Sequence, residues 1–165
     1  MTPGLLSLVT LVAALGAGLN GGVFFAFSTF VMPALSRLPA SQGIAAIQSV
    51  NVAAINRWFM GALFGTAAVC ALLIALSFFA SSKGGSGLSI GGSTLYLAGT
   101  ILVTIAFNVP RNDALASLEP ASAEAANLWA RYLREWTAWN HVRAASGLLS
   151  AAGLSLALLA SRPGR

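Results

Sequence analysis

Between Arg57 and Lys83 the chain reads WFMGALFGTAAVCALLIALSFFASS, residues 58–82, twenty-five consecutive residues without a formal charge. A helix covers the hydrocarbon of a bilayer with roughly 20 apolar residues. A chain inside lipid must satisfy its own backbone polar groups, which leaves helices or a closed barrel. Apolarity here is continuous rather than alternating, and that selects a helix. Further out lie three more charge-free runs: the 36 residues before Arg37, the 27 between Lys83 and Arg111, and the 18 between Arg143 and Arg162. The chain therefore reads as an all-α integral membrane four-helix bundle, a single transmembrane domain over residues 1–165. Its spans fall at about 5–32, 58–80, 93–109 and 136–160, with short interfacial helices in loops 1-2 and 3-4.

Composition agrees. Hydrophobic types make up 57% of the chain and charged types 8%, against about 25% charged in a soluble domain, so a water-soluble globule is excluded. The net charge of +5 comes without the basic cluster or aromatic–basic interleaving that a phosphate backbone demands, so no nucleic acid is expected. Arginines beside lipid headgroups account for it. Cys70 is the single cysteine, which rules out an intramolecular disulfide. Leu5 to Ala17 has the length of a signal-peptide core, but no basic segment precedes it and apolarity resumes from Val23 to Met32, so a retained first span is expected. Four spans place both termini beside the linker. Lys83, Arg162 and Arg165 mark that side, and Arg37, Arg57, Arg111, Arg131, Arg134 and Arg143 the other. Several of the latter adjoin the candidate site, and a functional arginine is no topology signal, so orientation stays open.

Between the spans, Ser41 to Asn56 is too polar to cross and reads as a helix lying on the bundle, with Ile44, Ile47, Asn51, Ala54 and Trp58 on one face. Span one should stop near Pro33, Ser81 to Gly87 should form a flexible linker, and Pro110 should break or kink span three. Arg111 to Glu135 holds all four acidic residues and should contain a helix from about Pro120. Trp129, Tyr132 and Trp136 look like an interfacial aromatic group. Small residues four apart, Gly18 with Gly22, Gly61 with Gly65, Ala67 with Ala71 and Gly147 with Ala151, would let helices approach closely, within one bundle or between like copies in a homo-oligomer.

Polar residues converge on one membrane face. Thr100, Thr104, Asn108, Arg111 and Asn112 recur at helical spacing on span three; Trp136, Trp139, Asn140, Arg143 and Gly147 do so on span four; Asn51, Asn56 and Arg57 precede span two on the same side. Polar side chains at membrane depth are costly unless they face protein or water, and convergent polar groups in an apolar setting describe a ligand site. A single asparagine most often only bonds neighbouring helices, contributing about 0.6–2 kcal/mol, but the set with Arg111, Arg143 and two tryptophans points to a site. Arg57 alone reads as a headgroup anchor. His141, the one histidine, falls about 140° from Trp136 on a helical wheel, off that stripe. It and Asp113 are the candidate bases, and Asp113 could equally pair with Arg111 or Arg143. One histidine, one mid-span cysteine and scattered carboxylates do not supply a metal ligand set, and nothing in the spacing argues for a haem held by His141 alone. No cofactor is supported.

The segments FFAFSTFVMPAL (24–35), IQSVN (47–51), FNVPRNDAL (107–115) and WTAWNHVR (136–143) resemble those of the anthrone oxygenase-like family, small bacterial and fungal membrane proteins. The resemblance spans nearly the whole chain. It implies an integral membrane location, in a bacterium the inner membrane, and oxidation of anthrones to anthraquinones with molecular oxygen. Asn51, Asn108, Asn112, Trp136, Trp139, Asn140 and Arg143 are the matching site positions.

Two functions from different classes follow. One is a cofactor-independent membrane oxygenase for a flat, lipophilic, phenolic or anthrone-like molecule, with His141 or Asp113 as base, Arg143, Asn108 and Asn140 as oxyanion donors, and Trp136 and Trp139 as an aromatic wall. The other is a non-enzymatic bundle in which the same residues grip a lipid or quinone-like ligand.

Overall fold

Four of the helix starts have a local cause. Pro39 precedes the first short helix in an extended conformation (φ −48°, ψ 139°), and Ile55 ends it where ψ reaches 69°. The Asn56 side-chain oxygen then accepts the N–H groups of Trp58 at 2.9 Å and Phe59 at 3.0 Å, capping the next helix. Gly85 takes a left-handed φ of 78° before the third long helix, where a Cβ would come 2.6 Å from the Ala157 carbonyl oxygen. Ser122 Oγ accepts the Ala125 N–H at 3.1 Å and Glu124 follows in the first turn, both favourable at a helix N-terminus.

The computed structural model describes residues 3–79 and 85–161. Among these all regular structure is helical: α1 (Gly4–Leu35), α2 (Ala40–Ala54), α3 (Arg57–Phe79), α4 (Ser86–Ala116) and α5 (Ala123–Ala160). All but α2 are long and apolar enough to cross a membrane. In cross-section α1 packs against α3 and α5, and α4 packs against the same two from the opposite corner. The outward faces carry exposed Leu15, Leu19, Phe30, Leu102 and Leu159, the apolar surface a bilayer requires. α2 lies across the end of the bundle where α1 and α4 finish and α5 begins, burying Ile44 and Ile47 with Met32, Leu115 and Trp129.

Several expectations are corrected. Span three is longer than 93–109: Ser86 and Gly87, assigned to the linker, already belong to α4. Pro110 does not break α4. Two π-helical stretches, Leu97–Leu102 and Thr104–Asn108, have shifted the backbone ladder before it, and α-helix runs on from Val109 to Ala116. Pro33 likewise sits inside α1, after a π turn at Phe27–Val31. The helix expected near Pro120 begins at Ala123 and is continuous with span four, so α5 has 38 residues and is about 57 Å long, well beyond the hydrocarbon thickness. Trp129, Tyr132 and Trp136 are buried rather than forming a belt. Trp58 leaves the α2 stripe, because the chain turns at Ile55, and stands 75% exposed with the Arg57 guanidinium 4.7 Å from its ring centre.

The small residues also divide. A Cβ on Gly147 would lie 2.8 Å from Gly21 Cα, so α1 and α5 touch backbone to backbone there, while Gly22, Gly61 and Gly65 have nothing within 4 Å. Ser81 to Gly84 of the linker, Lys83 with them, and Arg162 and Arg165 lie outside the described residues.

Candidate functional site

α4 and α5 run antiparallel, and their polar faces meet pair by pair from the membrane interior outward. Gly99 receives Ser146 in close contact. Thr100 Oγ1 donates to the Arg143 carbonyl at 3.4 Å, Asn108 Nδ2 to the Trp136 carbonyl at 3.1 Å, and the Tyr132 hydroxyl to Asn112 Oδ1 at 2.9 Å. The helical spacing read from sequence is what aligns these partners.

Arg143 is the centre, with 5% of its surface exposed. Its Nη2 donates to Asn140 Oδ1 at 2.7 Å and its Nη1 to Thr104 Oγ1 at 3.3 Å. The guanidinium carbon lies 4.2 Å from the Phe24 ring centre and 5.0 Å from that of Trp136. Asn140 is fully engaged in holding this arrangement, because its Nδ2 donates to the Phe24 carbonyl at 2.6 Å and to Ser28 Oγ at 2.7 Å. It therefore ties Arg143 to α1 and has no atom left for a ligand.

No carboxylate among the described residues reaches Arg143. Asp113, Glu119 and Glu124 are exposed. Glu135 is held at 2.8 Å by Arg111 and, through its other oxygen, at 2.8 Å by Arg131. A buried charge carries a desolvation penalty of several kcal/mol. Two desolvated cation–π contacts at about 2 kcal/mol each and two charge-assisted hydrogen bonds at about 1.5–3 kcal/mol each hold the guanidinium in place, yet its Nε remains buried with no hydrogen-bond partner among the described residues. The Oδ1 of Asn108 and the Nε1 of Trp136 share that condition.

Above Arg143, toward α2, Tyr132 is stacked between Trp129 and Trp136, with ring centres 5.6 Å and 6.0 Å away. Asn51 of α2 lies near the Tyr132 hydroxyl. Gln48 fastens α2 over the site by donating to the carbonyls of Leu115 at 2.8 Å and Leu118 at 3.0 Å. Gly43 permits the approach, since a Cβ there would lie 2.8 Å from the Trp129 ring.

Of the residues singled out in the sequence, Asn108, Trp136, Asn140 and Arg143 form one contact cluster, and Asn51 and Asn112 meet at Tyr132 directly above. Trp139 stands apart from the Arg143 rings. It stacks on Phe107 with centres 3.6 Å apart and planes at 11°, both rings partly exposed along the α4–α5 seam. His141 and Asp113 are exposed. Sequence reasoning missed Phe24, Ser28, Gln48 and the site position of Tyr132. Tyr132 had a usable signal, four residues before Trp136 on the same helical face, and Ser28 is polar within an apolar span, but nothing marks Phe24 among nine phenylalanines.

A family model described as anthrone oxygenase matches residues 55–153. The matched stretch contains Asn108, Asn112, Trp136, Asn140 and Arg143, and excludes Asn51 and the α1 residues Phe24 and Ser28. No curated protein and no solved structure matches the chain.

Proposed function

The chain belongs to the anthrone oxygenase family, and we propose that it oxidises a planar, lipophilic, anthrone-like or phenolic substrate with molecular oxygen at the Arg143 cluster. The observation that carries this reading is a buried arginine, ringed by Phe24 and Trp136, that no carboxylate among the described residues neutralises. In a low-dielectric setting such a cation favours the anion of a weak acid over its neutral form. An anthrone loses a methylene proton to give its electron-rich enolate, whose oxygen Arg143 receives.

The chemistry balances without a reductant. The carbanion passes one electron to oxygen, and the carbon radical and superoxide combine to form a C–O bond. Protonation gives the hydroperoxide. The second C–H proton then leaves as the O–O bond breaks and expels hydroxide. One oxygen atom ends in the ketone and the other in water. Substrate and oxygen both partition into the bilayer, so a site within the membrane draws on a concentrated supply. Since His141 and Asp113 are exposed, proton removal here relies on the acidity that Arg143 confers on the substrate, with release at the surface.

That same exposure favours a second reading, a bundle that grips a quinone or lipid headgroup without chemistry. Oxygen uptake by the purified protein in detergent, with anthrone as substrate, separates the two. The oxygenase reading requires one oxygen consumed per anthraquinone formed and little peroxide released. Saturable binding of anthrone with uptake no faster than in buffer would leave the binding reading.

A further inference from the structure

An apolar groove of about 430 Å³ lies between α1 and α3 and shares no residue with the Arg143 cluster. Val12, Leu15 and Leu19 line it from α1, and Gly61, Gly65 and Val69 from α3. Its polar side chain, Thr66, is already committed, because the hydroxyl donates to the Ala62 carbonyl at 2.6 Å. Glycine inside a helix is destabilising relative to alanine. At Gly147 the close approach of α1 explains it, but a Cβ on Gly61 or Gly65 would meet nothing within 4 Å. These two glycines leave room for something outside the chain.

Helix length sets the depth of the groove. α3 has 23 residues and is about 35 Å long, close to the roughly 30 Å of hydrocarbon it must cross, whereas α1, α4 and α5, with 32, 31 and 38 residues, overshoot. Arg57, the first residue of α3, therefore stands where hydrocarbon meets headgroups. Val52, Ile55 and Trp58 beside it are the most exposed large apolar side chains among the described residues, which suits a lipid boundary. Arg57, Gly61 and Gly65 follow at four-residue spacing on one face of α3. From Gly61 to Val69 the groove runs about 6 to 18 Å below Arg57, the depth of one leaflet at about 15 Å. Farther down, α3 turns exposed Leu72 and Phe78 outward.

Charge decides between a lipid and a second copy of the chain. The ion pairs among the described residues join Glu135 to Arg111 and Arg131 and leave Arg57 without a carboxylate; its guanidinium rests 4.7 Å from the centre of the Trp58 ring. All four acidic residues of the sequence fall between Asp113 and Glu135, on α4, α5 and their connection. A second copy packed through Gly61 and Gly65 would bring two Arg57 side chains together with no carboxylate on either α3. A phospholipid supplies negative charge at the height of Arg57 and an apolar chain below it.

We propose that the α1–α3 groove binds one anionic phospholipid, its phosphate held by Arg57 beside Trp58 and one acyl chain lying over Gly61 and Gly65 against Leu15 and Leu19. The site is independent of any chemistry at Arg143.

Native mass spectrometry of the full-length protein, released from detergent with equal amounts of phosphatidylglycerol and phosphatidylcholine of identical acyl chains, tests this. The parent protein should retain a single phosphatidylglycerol about fivefold more than phosphatidylcholine, the scale of one arginine near an anionic lipid surface. Arg57→Gln should abolish the preference and leave phosphatidylcholine retention within about twofold. Gly65→Leu fills the groove and should lower retention of both lipids at least about fivefold. Gly22→Leu, at a glycine equally open but outside the groove, should change neither. Circular dichroism checks that the variants keep their helices, and since Arg57 is exposed, the headgroup arm stands whatever the groove variant does. Equal retention of the two lipids by the parent protein would overturn the proposal, as would a preference that survives Arg57→Gln. Unchanged retention by folded Gly65→Leu would remove the acyl-chain site. A lipid-free two-copy mass that Gly65→Leu abolishes would give the groove to a second copy instead.

Discussion

Two arginines border the same α4–α5 seam and are treated in opposite ways. Toward the outer end Arg111 meets a carboxylate: its Nε and Nη2 reach Glu135 Oε2 at 3.0 Å and 2.8 Å, its Nη1 reaches the Phe107 carbonyl at 2.7 Å, and about a quarter of the side chain is exposed. Deeper in, Arg143 is almost wholly buried and meets an amide, a hydroxyl and two aromatic faces. A partly exposed ion pair contributes little and is screened. A buried cation without a carboxylate, in contrast, is a standing demand for an anion. The outer arginine is satisfied by a carboxylate of the fold, and the inner one has no such partner among the described residues.

The difference can be broken from the inner side. Arg143→Ala should reduce oxygen uptake with anthrone at least about 100-fold, the scale of losing an oxyanion donor in a dry site, while circular dichroism still reports the helices. Full turnover by the folded variant would end the anion-receptor role. Making Arg143 resemble Arg111 should come next in size. Thr104→Asp sets a carboxylate where a hydroxyl now takes the Nη1 hydrogen bond, and ligand affinity should fall by about tenfold or more, since the guanidinium then has its anion. Unchanged affinity would mean that the ligand does not supply the missing charge.

What holds Phe24 in a carboxylate's place is the Gly21–Gly147 contact, one turn from both Phe24 and Arg143. Gly147→Val drives a side chain into the Gly21 backbone and should lower stability by about 1–3 kcal/mol, the cost of overpacking, loosening the Phe24–Arg143 contact with it. Gly65→Ala, where a Cβ meets nothing within 4 Å, should leave thermal stability unchanged, and an equal loss from both would show that the α1–α5 contact is not special. The smallest effects belong to the outer residues. Glu135→Gln strips Arg111 of its partner, and His141→Ala removes an exposed imidazole. Each should leave the rate within about twofold, whereas a loss of about 10²–10⁴ in the histidine variant would make it the base.

Much of the fold was legible because membrane insertion is a one-dimensional problem. Charge-free runs of 36, 25, 27 and 18 residues mark four spans whatever their neighbours do, and the polar stripes on α4 and α5 follow from helical period alone. Helix boundaries were harder. Pro110 reads as a breaker, but the π stretch before it has already shifted the hydrogen-bond register. Trp129, Tyr132 and Trp136 read as an interfacial belt because amphipathic rings suit either setting, and only the packing of α2 over them decides for burial.

The sequence by itself determined the membrane class, the number of spans and the end of the bundle where Asn108, Trp136, Asn140 and Arg143 gather, since each depends on residue type and spacing along one helix. Tertiary structure alone decided which of these keep an unpartnered polar atom. Asn140 and Asn108 are the same residue on equivalent stripes, yet the Phe24 carbonyl and Ser28, brought in by the backbone contact of α1 with α5, take the Nδ2 of the first and Arg143 its Oδ1, whereas the second keeps its Oδ1 without a partner among the described residues. Hydrogen-bond satisfaction is a property of three-dimensional neighbours, two of them for Asn140 more than a hundred residues away along the chain, and no period along a single helix encodes it.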